Sequence, residues 1–328
     1  MEVRKLINFG KTSYVISLPK PWLQQNKLQK GDMISLHEHE GDLIVSPNNK
    51  KSGPSESKEA VINVDKKDKN RLQREIASAY INNFNPIILV GKELKDKAQE
   101  IKDISKNMIA LEIMQQTSDK MLAKDFLNMD KVSISSLLRK MDIIARDMVV
   151  DCKKCFDEDL YDSIFNRDDD VNRLSFLIFR AIKSALQDPD IFRAYKTTNY
   201  RLMTFWFVNL HIEKIADHVK RIARNIREMK GKIIAKNARL LMEMFAFAER
   251  RYLDTMKSYY NNDVNLALKL AATKKEALDR CADIATKHKK YDVWVDTVDK
   301  IKQMIADTHD IARTVYLFLL ENDKKQKV

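Results

Sequence analysis

Glu213 and Asp217 stand four residues apart in the run HIEKIADHVKRI, among apolar positions spaced for a helix. Both carboxylates then lie on one face, a single turn apart. Like charges at that spacing repel by about 0.2–0.5 kcal/mol, so a cation is needed to offset them. Two kinds of cation fit. Lys220 and Arg221 follow on the next turn, within reach of Asp217. The other is a divalent or iron-type metal ion, because carboxylates on facing helices of a bundle are common metal ligands. Asp168, in the acidic run Asp168-Asp169-Asp170, and Asp307 are the candidates for completing such a site. His211 and His218 flank the pair and are expected to be packed or solvated. Asp310 directly follows His309, and successive residues of a helix do not face each other. No Ser/His/Asp or Cys/His arrangement stands out. Gly91-Lys92 lacks the spacing of a phosphate loop. The chain is therefore not expected to be an enzyme.

These side chains need helices to hold them. Val208, Ile212, Ile215, Val219, Ile222, Ile226 and Met229 alternate steps of four and three, the seam of a helix packed in a bundle. The spacing predicts six helices over 131–321, broken near 157, 189, 231, 261 and 290. Lys214-Ile215-Ala216-Asp217 is echoed by Met304-Ile305-Ala306-Asp307, and Ile222-Ala223-Arg224 by Ile311-Ala312-Arg313. Echoes in the same order point to a duplicated three-helix unit. Lys220–Arg239 holds eight basic residues against one acid, Glu228, which suits a solvated face as well as a docking surface.

Upstream the character changes. Five of the six glycines and five of the six prolines lie at or before position 91. Residues 1–47 read as two strands, Val3–Leu6 and Ser13–Leu18, a short helix opening at Pro21, and a hairpin around Glu40-Gly41-Asp42. Residues 48–58 form a polar linker, expected to be flexible. Residues 60–128 read as βαβαββ, a small α/β sandwich with no visible chemistry. So small a head has too little core to stand alone, and pairing with a second copy would remedy that.

Composition narrows the function classes. A net charge of +12 favours polyanion partners. Cys152 and Cys155 form one CxxC, and Cys281 alone does not complete a zinc set. No apolar run approaches the ~18 residues of a membrane span, so no membrane insertion and a soluble, cytoplasmic protein are expected.

The run RKLINFGKTSYVISLPKPWLQQNKLQKGDMISL, with GDLIVSP after it, resembles a SpoVT/AbrB-type domain. The resemblance implies a swapped-hairpin homodimer that binds DNA through basic residues, here Arg4, Lys5, Lys11 and Lys20. Gln24 and Gln25 stand where such domains often carry arginine. Residues 131–321 resemble the PhoU family of phosphate-signalling regulators. EKIAD (213–217) is similar to its Glu-Arg-Ile-Gly-Asp motif, and DDDVN (168–172) to its Asp-x-x-Ile-Asp motif, with Asn172 for the last acid. That implies metal held by Glu213, Asp217 and Asp168. QMIAD (303–307) departs from the motif at Gln303. A SpoVT/AbrB-type head on a PhoU-like body of two three-helix bundles resembles archaeal phosphate-uptake regulators. Two roles stay open: a DNA-binding regulator, or an adaptor docking on phosphate-transporter components with the head used only to oligomerise.

Overall fold

The computed structural model describes residues 3–39, 41–47, 58–286 and 292–318. The chain divides into two compact units, Met1–Ser57 and Lys58–Val328. The linker expected at 48–58 falls almost wholly outside the described residues, as does Glu40.

The first unit is two separate hairpins and a helical turn. Strands β1 (Ile7–Phe9) and β2 (Ser13–Val15) pair antiparallel, with Ile7 opposite Val15. Helix α1 (Lys20–Gln25) opens after Pro19, with a second proline in its first turn. Strands β3 (Ile34–His39) and β4 (Asp42–Pro47) form the second hairpin. Val3–Leu6, expected as a strand, is not one: among the described residues the β1–β2 ladder begins at Ile7. Among the described residues of this unit, none is buried.

The second unit opens with β5 (Ala60–Asn63), α2 (Lys69–Ile81), β6 (Ile87–Val90), α3 (Leu94–Lys106), β7 (Leu111–Gln116) and β8 (Lys120–Asp125). The sheet order is β5-β6-β8-β7, parallel between β5 and β6 and antiparallel elsewhere. The βαβαββ order read from sequence therefore holds. Asp68 caps α2 by accepting the Arg71 N–H at 2.7 Å. Leu72, Ile76, Ile87, Leu89, Ile101 and Met121 fill the core between helices and sheet. Gly91 leaves β6 with φ +150, and a Cβ there would lie 2.5 Å from the Asp65 carboxylate. That carboxylate accepts the Glu93 N–H at 2.9 Å, so the glycine serves a tight turn rather than a nucleotide.

The helical body comprises α4 (Ile134–Lys154), α5 (Tyr161–Gln187), α6 (Pro189–Ala194), α7 (Asn199–Met229), α8 (Ala235–Asn261), α9 (Val264–Ala272), α10 (Lys274–Thr286) and α11 (Asp292–Phe318). The six expected helices are thus eight among the described residues. Asp188 caps the short α6, whose first residue is Pro189, and this isolates it from α5. The break between α9 and α10 has a longer-range cause. The Arg251 guanidinium on α8 donates to the Leu270 carbonyl at 2.7 Å and to the Thr273 hydroxyl at 2.8 Å, capping the end of α9. Helices α4, α5 and α7 form one trio, and α8, α9–α10 and α11 the other. They meet along α7 and α11, and one continuous apolar core runs through both. All seven seam residues of α7 are buried.

The α/β layer docks on this body through α5. Phe176 packs against the layer's core. Arg180 donates to Asp125 at 2.6 Å and to Asn83 at 2.9 Å, while its guanidinium lies 4.5 Å from the Tyr80 ring centroid.

Candidate functional site

Asp168 projects from α5 and Glu213 and Asp217 from α7, so the duplicated-bundle packing does bring the three expected acids together. Between Asp168 and Asp217 lies Lys220. Its ammonium donates to Asp168 at 2.5 Å and reaches Asp217 at 3.1 Å. Arg221 pairs with the other Asp217 oxygen at 2.8 Å. Asn172, in the place of the motif's last acid, donates its amide to Asp168 at 3.2 Å. Burial pushes the Asp168 carboxyl up, and the Lys220 hydrogen bond only partly reverses it. Burial also pushes Asp217 up, but Lys220 and Arg221 outweigh it and hold the carboxyl below its ordinary range. Glu213 is raised by burial and by the charges of Asp217 and Asp168. The cation that the paired carboxylates need is thus supplied by the chain. A metal ion on Asp168 and Asp217 would have to displace Lys220, so this trio as arranged does not fit one.

A second polar cluster lies in the α7–α11 seam. His211 Nδ1 is 2.8 Å from one Asp307 oxygen and His218 Nε2 is 3.0 Å from the other. The two histidines are two turns apart on one face, which is the spacing signal that could have paired them in the sequence. Burial raises the Asp307 carboxyl, but the hydrogen bonds from His211 and His218 prevail and bring it down to about 2. Asp307 therefore joins these histidines rather than Glu213 and Asp217. His309 Nδ1 lies 3.2 Å from Asp310, so these neighbours do meet despite their adjacency. Their side chains bend towards each other across the helix surface.

The remaining candidates are sorted by their partners. Within the basic run, Arg227 pairs with Asp159 and Asp162, and Arg239 with Glu243. Much of its charge is thus neutralised locally. Cys152, Cys155 and Cys281 are buried free thiols. Burial pushes all three up, Cys281 to about 11. In the head, Arg4 and Lys5 precede β1, Lys11 sits in the turn after Gly10, and Lys20 begins α1; all four are exposed. Sequence reasoning missed the buried Asp142, which accepts the Tyr252 hydroxyl at 2.7 Å and pairs with Arg146 at 2.9 Å. It also missed Arg180–Asp125, whose partners stand 55 residues apart.

Comparison with known families now bears on these positions. Residues 138–226 match the PhoU domain model, spanning Asp168, Glu213 and Asp217. This stretch of the chain is similar to a PhoU domain. Residues 9–53 match the model described as antidote-toxin recognition MazE, bacterial antitoxin, so the head is MazE/AbrB-like. The PhoU match covers the first helical trio through most of α7. A crystal structure of PhoU from Pseudomonas aeruginosa is similar with a TM-score of 0.49 and 13% identity, over 57% of this chain and 96% of that one. No curated relative matches the chain. Among the described residues, no helix is long and apolar enough to cross a membrane.

Proposed function

We propose that the chain is a DNA-binding regulator of phosphate homeostasis. Its PhoU domain and MazE/AbrB-like head fit phosphate regulation, and both belong to regulatory rather than enzymatic families. The observation that carries the DNA reading is the head itself. Phe9 is 70% exposed, Met33 72% and Leu36 57%, beside exposed Arg4, Lys5, Lys11 and Lys20. Side chains this apolar find a core in a second copy of the hairpins. Pairing doubles the basic residues on one surface, which suits a phosphate backbone. The helical body then acts as the signal-receiving module.

The test is fluorescence anisotropy of a labelled duplex at several salt concentrations, using the full-length chain. Each phosphate contact contributes about 0.9 to the slope of log K against log salt. Replacing Arg4 and Lys11 by alanine removes two basic groups per copy, so a dimer should lose roughly 2–4 from that slope. An unchanged slope removes both residues from the footprint.

The exposed Gln24 and Gln25 on α1 favour a second reading, in which the head only oligomerises and the PhoU domain docks on transport components. Affinity capture separates the two. Recovery of transport components by protein that does not bind DNA supports the adaptor.

A further inference from the structure

Two guanidiniums at one end of the helical body lack the partner that others in the body have. Arg146, Arg180 and Arg227 each meet a carboxylate. Among the described residues, neither Arg139 nor Arg201 forms an ion pair. Each lies against a ring instead. The Arg139 guanidinium is 4.7 Å from the Tyr260 ring centroid, and that of Arg201 is 5.0 Å from the Phe205 centroid. Stacking of this kind holds the planar fork in place and leaves its N–H groups for an acceptor. The Tyr259 ring lies 5.3 Å from that of Tyr260 and extends the aromatic floor.

Both arginines line one cavity of about 240 Å³, where α4, α7 and the end of α8 meet. Arg201 and Phe205 also line a second cavity of about 450 Å³, so the two adjoin. Lys131 and Lys196 bring two exposed ammoniums to the larger cavity. The four cations face one lining acid, Asp130. The Thr197 hydroxyl, on the same wall, is buried without a hydrogen-bond partner. Residues 133–135, the opening of α4, line this cavity as well. The first N–H groups of a helix have no partner within it, and they favour an anion.

We propose that this end of the body binds a small molecule carrying a diphosphate group. Arg139 and Arg201 each take one phosphoryl group in a bidentate grip, and Lys131 and Lys196 offset the remaining charge. A single carboxylate or phosphate would leave one of the two forks empty. The concave shape suits a small ligand rather than a duplex. The site lies apart from the acidic cluster, whose carboxylates are served by Lys220. Its occupancy does not depend on whether the head meets DNA.

The test is isothermal titration calorimetry of the full-length chain, without divalent ions, using pyrophosphate, ADP and orthophosphate. The expected result is one pyrophosphate or ADP per chain, bound at least ~10-fold more tightly than orthophosphate. Tighter binding of ADP than of pyrophosphate supports a nucleotide as the source of the group. Equal or weaker binding of ADP supports the free anion. Arg139→Gln and Arg201→Gln should each weaken pyrophosphate binding at least ~10-fold, as loss of charge-assisted hydrogen bonds does. Arg201→Lys keeps the charge but not the fork, and should weaken it too. Arg139 is exposed, so Arg139→Gln keeps the helical circular dichroism even where Arg201→Gln does not. Arg4→Ala combined with Lys11→Ala should leave pyrophosphate binding unchanged, which separates this site from the DNA footprint. The proposal is overturned if neither pyrophosphate nor ADP gives a binding heat, or if orthophosphate binds as tightly as pyrophosphate. It is equally overturned if Arg139→Gln binds like wild type, or if the Arg4 and Lys11 double variant loses binding.

Discussion

Lys220→Met is the sharpest probe of the acidic cluster. Methionine keeps the length and apolar stem of lysine but withdraws the ammonium from Asp168 and Asp217. The Asp168 side chain is 5% exposed and that of Lys220 21%, so the pair is shielded from solvent. Removing one partner of a buried pair costs about 3–5 kcal/mol. The residual exposure of Lys220, and the option of a proton on Asp168, place this change near about 2–3 kcal/mol at neutral pH. For a unit of this size that lowers Tm by about 4–10 °C. The pH dependence has a definite sign. The folded Asp168 pKa lies above its ordinary 3.8, so the folded state binds the proton more readily than the unfolded one. Between those two values stability falls as pH rises. Loss of Lys220 removes the lowering influence and widens that window upward. The deficit should therefore grow as pH rises from the ordinary carboxylate range towards neutrality, read from urea unfolding at constant m. Adding Asp168→Asn to Lys220→Met should recover most of the loss at neutral pH. A deficit that does not grow with pH, or no recovery in the double variant, would refute the account.

Asp125→Ala leaves the Arg180 guanidinium buried without its carboxylate and should cost about 3–5 kcal/mol in urea unfolding. Replacing both partners by apolar residues should cost less than either single change, because no charge is then stranded. Gly91→Ala forces a Cβ against Asp65 at a positive φ and should lower stability by about 1–3 kcal/mol in thermal melts. The three buried thiols should react with a thiol reagent only at the rate of unfolding, with no acceleration between about pH 7 and 9 beyond that of unfolding itself. Prompt labelling of Cys155 in folded protein would contradict its burial.

The legible parts of the fold are those set by local pattern. The alternating steps of four and three from Val208 to Met229 marked the buried stripe of α7 correctly. The βαβαββ order over 60–128 likewise follows the runs of strand-like and helix-like residues along the chain. What escaped depends on distant partners. The end of α9 is set by Arg251, nineteen residues before the Leu270 carbonyl that it caps. Val3–Leu6 has strand-like residues, but a strand needs a ladder, and among the described residues the ladder begins at Ile7. The same holds for chemistry. Glu213 and Asp217 were visible through their spacing, and so was the need for a cation. That Lys220 would reach across to Asp168 on another helix, or that Asp307 would turn to His211 and His218, depends on the packing of α5 and α11 on α7.

The coreless head has a consequence for dosage. On the proposed pairing, hairpins that bury no described side chain of their own gain their core from a second copy, and folding and pairing of the head become one event. The amount of competent head then grows with the square of protein concentration while pairs are rare, and linearly once they dominate. Halving the cellular supply in the first regime quarters the number of working heads. The abundance of the chain thereby becomes an input in its own right, read out before any ligand reaches the helical body.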